Sequence, residues 1–235
     1  MEFKIENTQV YGLTKSIIAS GNAMRTEMDY NVSEYFEKLA DGTLCDTIEY
    51  DYSKDYKRAC SLGNTKSGEG HDNFLNGVIV QFDIYAPLYM WKQIQRYHWM
   101  DFISSQSTMH KLTKFKVAEC CVKYTDKIIL NRYQELLDEY NNFDMIHEKE
   151  WEENPNEMQE LKNEKWYTLV ASLPCGFVLG ATMTTNYRQL KTIYSQRKYH
   201  KLKEWEQFRE WCRRLPYFKE LCLKNIDKEE VELDD

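Results

Sequence analysis

Apolar and polar residues alternate most cleanly over VIVQFDIYA, where Val78, Val80, Phe82, Ile84 and Ala86 fall on one face and Gln81, Asp83 and Tyr85 on the other. A period of two predicts a half-buried strand from Val78 to Ala86. Pro87 follows, and its fixed φ and missing amide donor suit the first turn of a helix. The next residues, LYMWKQIQRYHWMDFI, continue at helical spacing and place Gln93, Arg96, Tyr97 and Met100 on a shared face.

Elsewhere the pattern is coarser. TKSIIASGNAMRT reads as a helix start running into a turn, and residues 41–70, rich in Tyr, Asp, Lys and Gly, read as loops and short helices. A mixed helical stretch covers 111–140, and the strongly polar NNFDMIHEKEWEENPNE around Pro155 reads as a hinge or exposed connection. WYTLVASLP reads as a second strand, and the residues after it end in one or two long amphipathic helices. Within NYRQLKTIYSQR, at roughly 100° per residue, Asn186 and Arg197 fall on nearly one face, while Arg188 and Thr192 share another. One domain is expected over 1–222. The charged tail from 223 to 235 is expected to be frayed.

Composition narrows the classes. With 42% hydrophobic and 14% aromatic residues, the 235-residue chain can build a sizeable core. A net charge of −7 argues against wrapping a nucleic-acid polymer, though local arginines suffice for a small anion. No apolar run reaches the roughly 20 residues of a membrane span, and MEFKIENTQVYG lacks signal-peptide features, so a cytoplasmic protein is expected. The seven cysteines (Cys45, Cys60, Cys120, Cys121, Cys175, Cys212 and Cys222) form no CxxC pair, and reduced thiols used for packing are expected. HEKEWEE lacks a second histidine four residues on, and no metal site is expected. No GxGxxG or GxxxxGKS phosphate cradle is present.

Three clusters carry candidate chemistry: GHDNF at 70–74, QIQRYH with SSQS at 93–107, and NYRQLKTIYSQR at 186–197. Alone, each has an ordinary reading: His71 suits a cap or loop, the serines a turn, and the helix a polar surface. Together they resemble the flavin-dependent thymidylate synthases. GHDNFLNGVIVQFDIYAPLYMWKQIQRYH follows, without a gap, that family's GHE, aromatic-rich strand, AP, RQ and RHR pattern, with Gly70, His71, Phe82, Ala86, Pro87, Gln93 and Arg96 in place. NYRQLKTIYSQR is similar to the family's NARxLxxFLxxR, with Asn186, Arg188, Leu190 and Arg197 in register and Leu173 and Pro174 at its upstream LP.

The resemblance implies an α+β fold with a mixed or antiparallel sheet and long helices. It implies a homotetramer with interfacial active sites, FAD as cofactor, dUMP as substrate, methylenetetrahydrofolate as carbon donor and NADPH as reductant. Carried over, the flavin contacts are His71, Asn73, Arg96, Tyr97, His98, Asn186, Arg188 and Thr192. Gln93 and Arg96 touch the nucleotide, Ser105, Gln106 and Ser107 surround its phosphate and ring, and Arg197 is the catalytic arginine that favours ionised uracil. Asn186 and Arg197 would serve one site while Arg188 and Thr192 reach the cofactor of another subunit.

The chain departs from the family at RHRxxSxNxxSxRY. Tyr97 and His98 replace the histidine and second arginine, and one extra residue precedes Ser105. Met109 and His110 stand for the RY pair, and Val170 for an arginine ahead of the LP. Each charge-assisted contact of this kind is worth on the order of 1.5 to 3 kcal/mol, so the nucleotide side is the altered one. The expected function is reductive C5 methylation of dUMP. The alternatives are C5 methylation or hydroxymethylation of dCMP or UMP, or flavin and nucleotide binding without turnover.

Overall fold

A computed structural model describes residues 1–27, 54–66 and 68–226. Four strands form one sheet in the order β1-β2-β4-β3: β1 Lys4–Tyr11, β2 Ile79–Pro87, β3 Asp101–Ser105 and β4 Val178–Asn186. The sheet is antiparallel. Among the described residues, the helices of seven or more residues are α1 Leu13–Ala19, α2 Asp55–Gly63, α3 Leu88–Ile94, α4 Lys127–Asn141, α5 Pro155–Ser172, α6 Tyr187–Gln196 and α7 Lys203–Arg213. The fold class is thus α+β, as expected.

The alternation in β2 does what its period dictates. Val78, Val80, Ile84 and Ala86 are fully buried and Phe82 nearly so, while Gln81, Asp83 and Tyr85 are half-buried. After Pro87 the helix forms but stops at Ile94, well short of the spacing's reach. Trp99 lies in the left-handed region at φ 59°, Thr185 Oγ1 donates to its carbonyl at 2.6 Å, and Asp101–Ser105 pairs into the sheet as β3. Gln93, Arg96, Tyr97 and Met100 therefore do not share a helical face.

The chain divides into two compact units. One comprises Met1–Lys4, Asp83–Arg96 and Phe102–Thr182. Its core packs Leu112, Val117, Cys121, Tyr133, Leu137, Leu169 and Phe177 together. Two readings are corrected here. WYTLVAS is not a strand but the end of α5, whose Pro155 stands in the first turn and whose buried Met158 and Leu169 lie about three helical turns apart. NNFDMIHEKEWEENPNE does join α4 to α5 and is mostly exposed, but it is helical rather than a hinge: Phe143–Ile146 and Glu148–Glu153 are short helices, and Phe143 is 2% exposed beside His147 and Trp151.

The other unit comprises Ile5–Phe82, Tyr97–Asp101 and Met183–Asp235. Here Phe82 of β2, Tyr187 and Tyr194 of α6, Trp205 and Phe208 of α7, and Phe218 are all buried, with ring contacts linking Tyr187 and Tyr194 to Phe218 and Trp205 to Phe208. Tyr187 donates to the Pro216 carbonyl at 2.7 Å and packs edge-on against Phe218, which fixes the start of α6. Leu223 is buried, and Lys224 and Asn225 bond to Asn64, so the chain is anchored past the 223 boundary expected for a frayed tail. Residues 227–235 lie outside the described residues, as do 28–53, which include Cys45 and the 41–53 part of the expected loop region.

Candidate functional site

The α6 motif starts at a cap. Asn186 has extended backbone, φ −135° and ψ 166°, and its side-chain oxygen accepts from the Gln189 amide at 2.9 Å. This holds Asn186 at the mouth of a cavity of about 210 Å³ lined by Gly68, Asp72, Asn76, Trp99, Asn186, Arg188, Gln189 and Thr192. Thr192 sits one turn after Arg188 and donates to its carbonyl at 3.1 Å. Three expected flavin contacts are thereby brought together. The expected pairing of Asn186 with Arg197 on one face is corrected, because a capping residue does not follow the helical rotation and Asn186 joins Arg188 and Thr192 instead.

Asp72 organises this cavity, and sequence reasoning passed over it. Its carboxylate is buried, with Oδ1 accepting from Arg188 Nε at 3.0 Å and Oδ2 from Lys191 Nζ at 2.9 Å. Lys191, also buried, gives a further bond to the Thr65 carbonyl at 2.7 Å. The bond from Nε to Asp72 fixes the approach of the Arg188 guanidinium, and the residue also lines the cavity. Trp99 adds an aromatic ring, 69% exposed, at the same wall.

The other expected contacts are dispersed. His71 and Asn73 flank Asp72 but are exposed, as are Arg96 and His98, and none of the four lines this cavity. Gln93 is half-buried on α3 in the first unit. Arg197 lies past the last residue of α6, with its guanidinium 4.5 Å from the Trp205 ring centroid and 5.2 Å from that of Tyr97. Burial pushes the Tyr97 phenol up, while Arg197, which hydrogen-bonds it, pulls it down. Burial also lowers His200, with the Arg197 charge adding to the effect. Tyr97 is thus a support for Arg197 in this unit rather than part of the cavity's lining.

The SSQS segment builds a second cavity, of about 190 Å³, lined by Asp83, Tyr85, Ser104, Ser105, Gln106, Gly180, Ala181 and Thr182. Gln106 is clamped to one residue: its amide donates to the Gly180 carbonyl at 2.9 Å, and its Oε1 accepts from the Gly180 amide at 2.8 Å. Its side-chain NH₂ is the group this geometry leaves for a ligand. Thr182 Oγ1 donates to Asp83 Oδ1 at 2.6 Å. Ser107 is absent from the lining and instead caps the one-turn helix Thr108–Lys111, accepting from the His110 amide.

The larger of these two cavities, in the second unit, offers an oriented guanidinium, three side-chain amides, a hydroxyl and an exposed indole. That donor set fits a molecule that joins an anionic group to flat rings, as a flavin dinucleotide does. Among the described residues no cluster of three or more His, Cys, Asp or Glu is placed to hold a metal ion, and no helix is long and apolar enough to cross a membrane.

No family model and no curated protein matches the chain. Solved structures do. The flavin-dependent thymidylate synthase ThyX from Helicobacter pylori, complexed with FAD and dUMP, aligns over 96% of this chain and 99% of its own at TM-score 0.55 and 16% identity. A second structure of that enzyme with FAD and dUMP aligns over 96% and 98% at TM-score 0.55 and 15% identity. The UMP/dUMP methylase PolB from Streptomyces cacaoi, bound with 5-Br dUMP, aligns over 95% of both chains at TM-score 0.50 and 13% identity. The chain therefore has the fold of the flavin-dependent thymidylate synthases.

Proposed function

We propose that this chain is a divergent flavin-dependent thymidylate synthase-like methyltransferase that converts dUMP to dTMP in the cytoplasm as a homotetramer. The observation that carries this reading is the convergence of Asn186, Arg188 and Thr192 on one cavity with Asp72, within a chain of this fold. Methylenetetrahydrofolate supplies a one-carbon unit and NADPH the reducing equivalent. Uracil C5 exchanges its hydrogen, released as a proton, for a methyl group, leaving tetrahydrofolate and NADP⁺. Bound FAD supplies the redox step.

The residues of the chain bind and orient. Arg188 presents its terminal amino groups to the anionic part of the cofactor, with Asn186, Gln189 and Thr192 as hydrogen-bonding partners and Trp99 as a flat apolar surface. His71, Asn73, Arg96 and His98 are exposed side chains assigned to the flavin, and Gln93, half-buried on α3, is assigned to the nucleotide. Gln106 and Ser105 line the pocket offered to the pyrimidine and its phosphate, with Ser107 fixing the turn beside them. Arg197, permanently charged and held by Tyr97 and Trp205, favours the ionised uracil ring.

A second reading, C5 methylation of UMP or dCMP, is favoured by the altered RYH signature at 96–98 and by the likeness to a methylase that acts on UMP as well as dUMP. Tritium release from C5-labelled dUMP, UMP and dCMP, each with methylenetetrahydrofolate and NADPH, separates the two. Release from dUMP first and foremost is expected. Arg197→Ala is expected to abolish release while the visible flavin band persists on the purified protein. A chain that stays colourless after FAD is added would overturn every flavin reading, and unchanged turnover in Arg197→Ala would remove that residue's role.

A further inference from the structure

The buried ion cluster beneath the α6 cavity has an uneven charge count that the proposed chemistry does not use. Asp72 carries one negative charge, and two cations bond to it, one through each oxygen. The side chains of Asp72 and Lys191 are 2% and 3% exposed, whereas that of Arg188 is 34% exposed and reaches the cavity. If Arg188 were the sole partner of Asp72, the two charges would cancel and the cavity would face a neutral pair. Lys191 changes this, because its ammonium satisfies the carboxylate from the buried side and is itself anchored on the Thr65 carbonyl at 2.7 Å.

We propose that Lys191 is a positioning and charge-reserving residue: by neutralising Asp72 from below, it leaves the full charge of Arg188 for an anionic phosphate or pyrophosphate group in the cavity. Lys191 touches no ligand. Asp72 has the companion role of aiming Arg188 through Nε, so orientation and charge are supplied by different residues. The inference rests on the functional reading only in naming the anion as part of a dinucleotide. Any phosphate-bearing ligand of this cavity would meet the same reserved charge.

The arrangement separates charge from packing experimentally. Lys191→Met keeps much of the buried volume but leaves Asp72 and Arg188 to neutralise each other. Asp72→Asn combined with Lys191→Met removes both buried charges, keeps a side-chain oxygen that can accept from Arg188 Nε, and returns the net charge facing the cavity to that of Arg188. Binding of FAD and of inorganic pyrophosphate is measured by titration calorimetry on the unchanged full chain and both variants, with urea midpoints recorded alongside. The single variant is expected to bind both probes about tenfold or more weakly, and the double variant to regain most of the loss. Should Lys191→Met not fold, Lys191→Gln, which can still donate to the Thr65 carbonyl, takes its place with the same expectation.

Equal affinity in the unchanged chain and the folded single variant would overturn the proposal. So would a double variant that is folded yet binds as weakly as the single one, because that pattern belongs to packing alone. Pyrophosphate binding in the expected order without FAD binding would sustain this inference and sink the flavin reading. Binding of neither probe by the unchanged chain would sink both.

Discussion

At Gly180 the absence of a side chain is what lets two groups of the second cavity meet. A Cβ built there would lie 2.8 Å from Tyr85 Cε1 and 3.2 Å from Gln106 Oε1, inside the normal contact distance of each. Gly180→Ala should therefore force the Tyr85 ring aside and cost about 1 to 2 kcal/mol, read as a lower urea midpoint, despite alanine's better fit to a strand. In a Tyr85→Ala background the same change should cost nothing. A cost that persists there would place the strain on Gln106 instead. Residues of this kind mark the limit of what the chain discloses in one dimension. Arg188 and Thr192 were legible because their motif is local, whereas Asp72 lies 116 residues from Arg188 and 119 from Lys191, and nothing in the helical spacing pairs them. The one available signal was that Asp72 stands inside the GHD motif.

At the scale of elements, the α4 and α5 helices depend on a cap and a cross-helix bond. Asp126 accepts from the Ile128 amide at 2.7 Å and satisfies an otherwise orphan donor at the start of α4. Asp126→Ala should lower stability by about 1 kcal/mol in chemical denaturation, and Asp126→Asn should restore most of it; equal losses in both would remove the capping assignment. Tyr133 on α4 donates to the Leu169 carbonyl on α5 at 3.1 Å, and burial pushes its phenol up to about 12. Here periodicity misled in an instructive way. Strand β2 was legible because one of its faces is buried and the other half-exposed. In α5 the buried positions Met158 and Leu169 are so sparse that the local run WYTLVAS dominates the pattern. The helical reading of 95–103 failed for a different reason, since Trp99 turns through the left-handed region and sheet pairing then outweighs local spacing.

At the scale of the whole molecule, the net charge of −7 opposes any anionic ligand, and the proposed cofactor and substrate are both anions. Binding must then rest on local geometry, and the two candidate cavities differ in how they supply it. One uses a guanidinium oriented by a buried carboxylate, and the other offers amide and hydroxyl dipoles beside the Asp83 carboxylate, with no cationic side chain among the described residues of its lining. The long-range repulsion acts through exposed charges and fades as the screening length shortens, whereas Asp72 and Lys191 are buried and the partly buried Arg188 is screened less than a surface charge. The two effects work against each other. FAD affinity should accordingly change less than about threefold between roughly 50 and 300 mM salt, measured by fluorescence quenching of the flavin, because mobile ions screen partly buried charges weakly. A tenfold or greater fall would mean that exposed lysines and arginines hold the ligand, in which case Arg188 would lose its place as the principal anion contact.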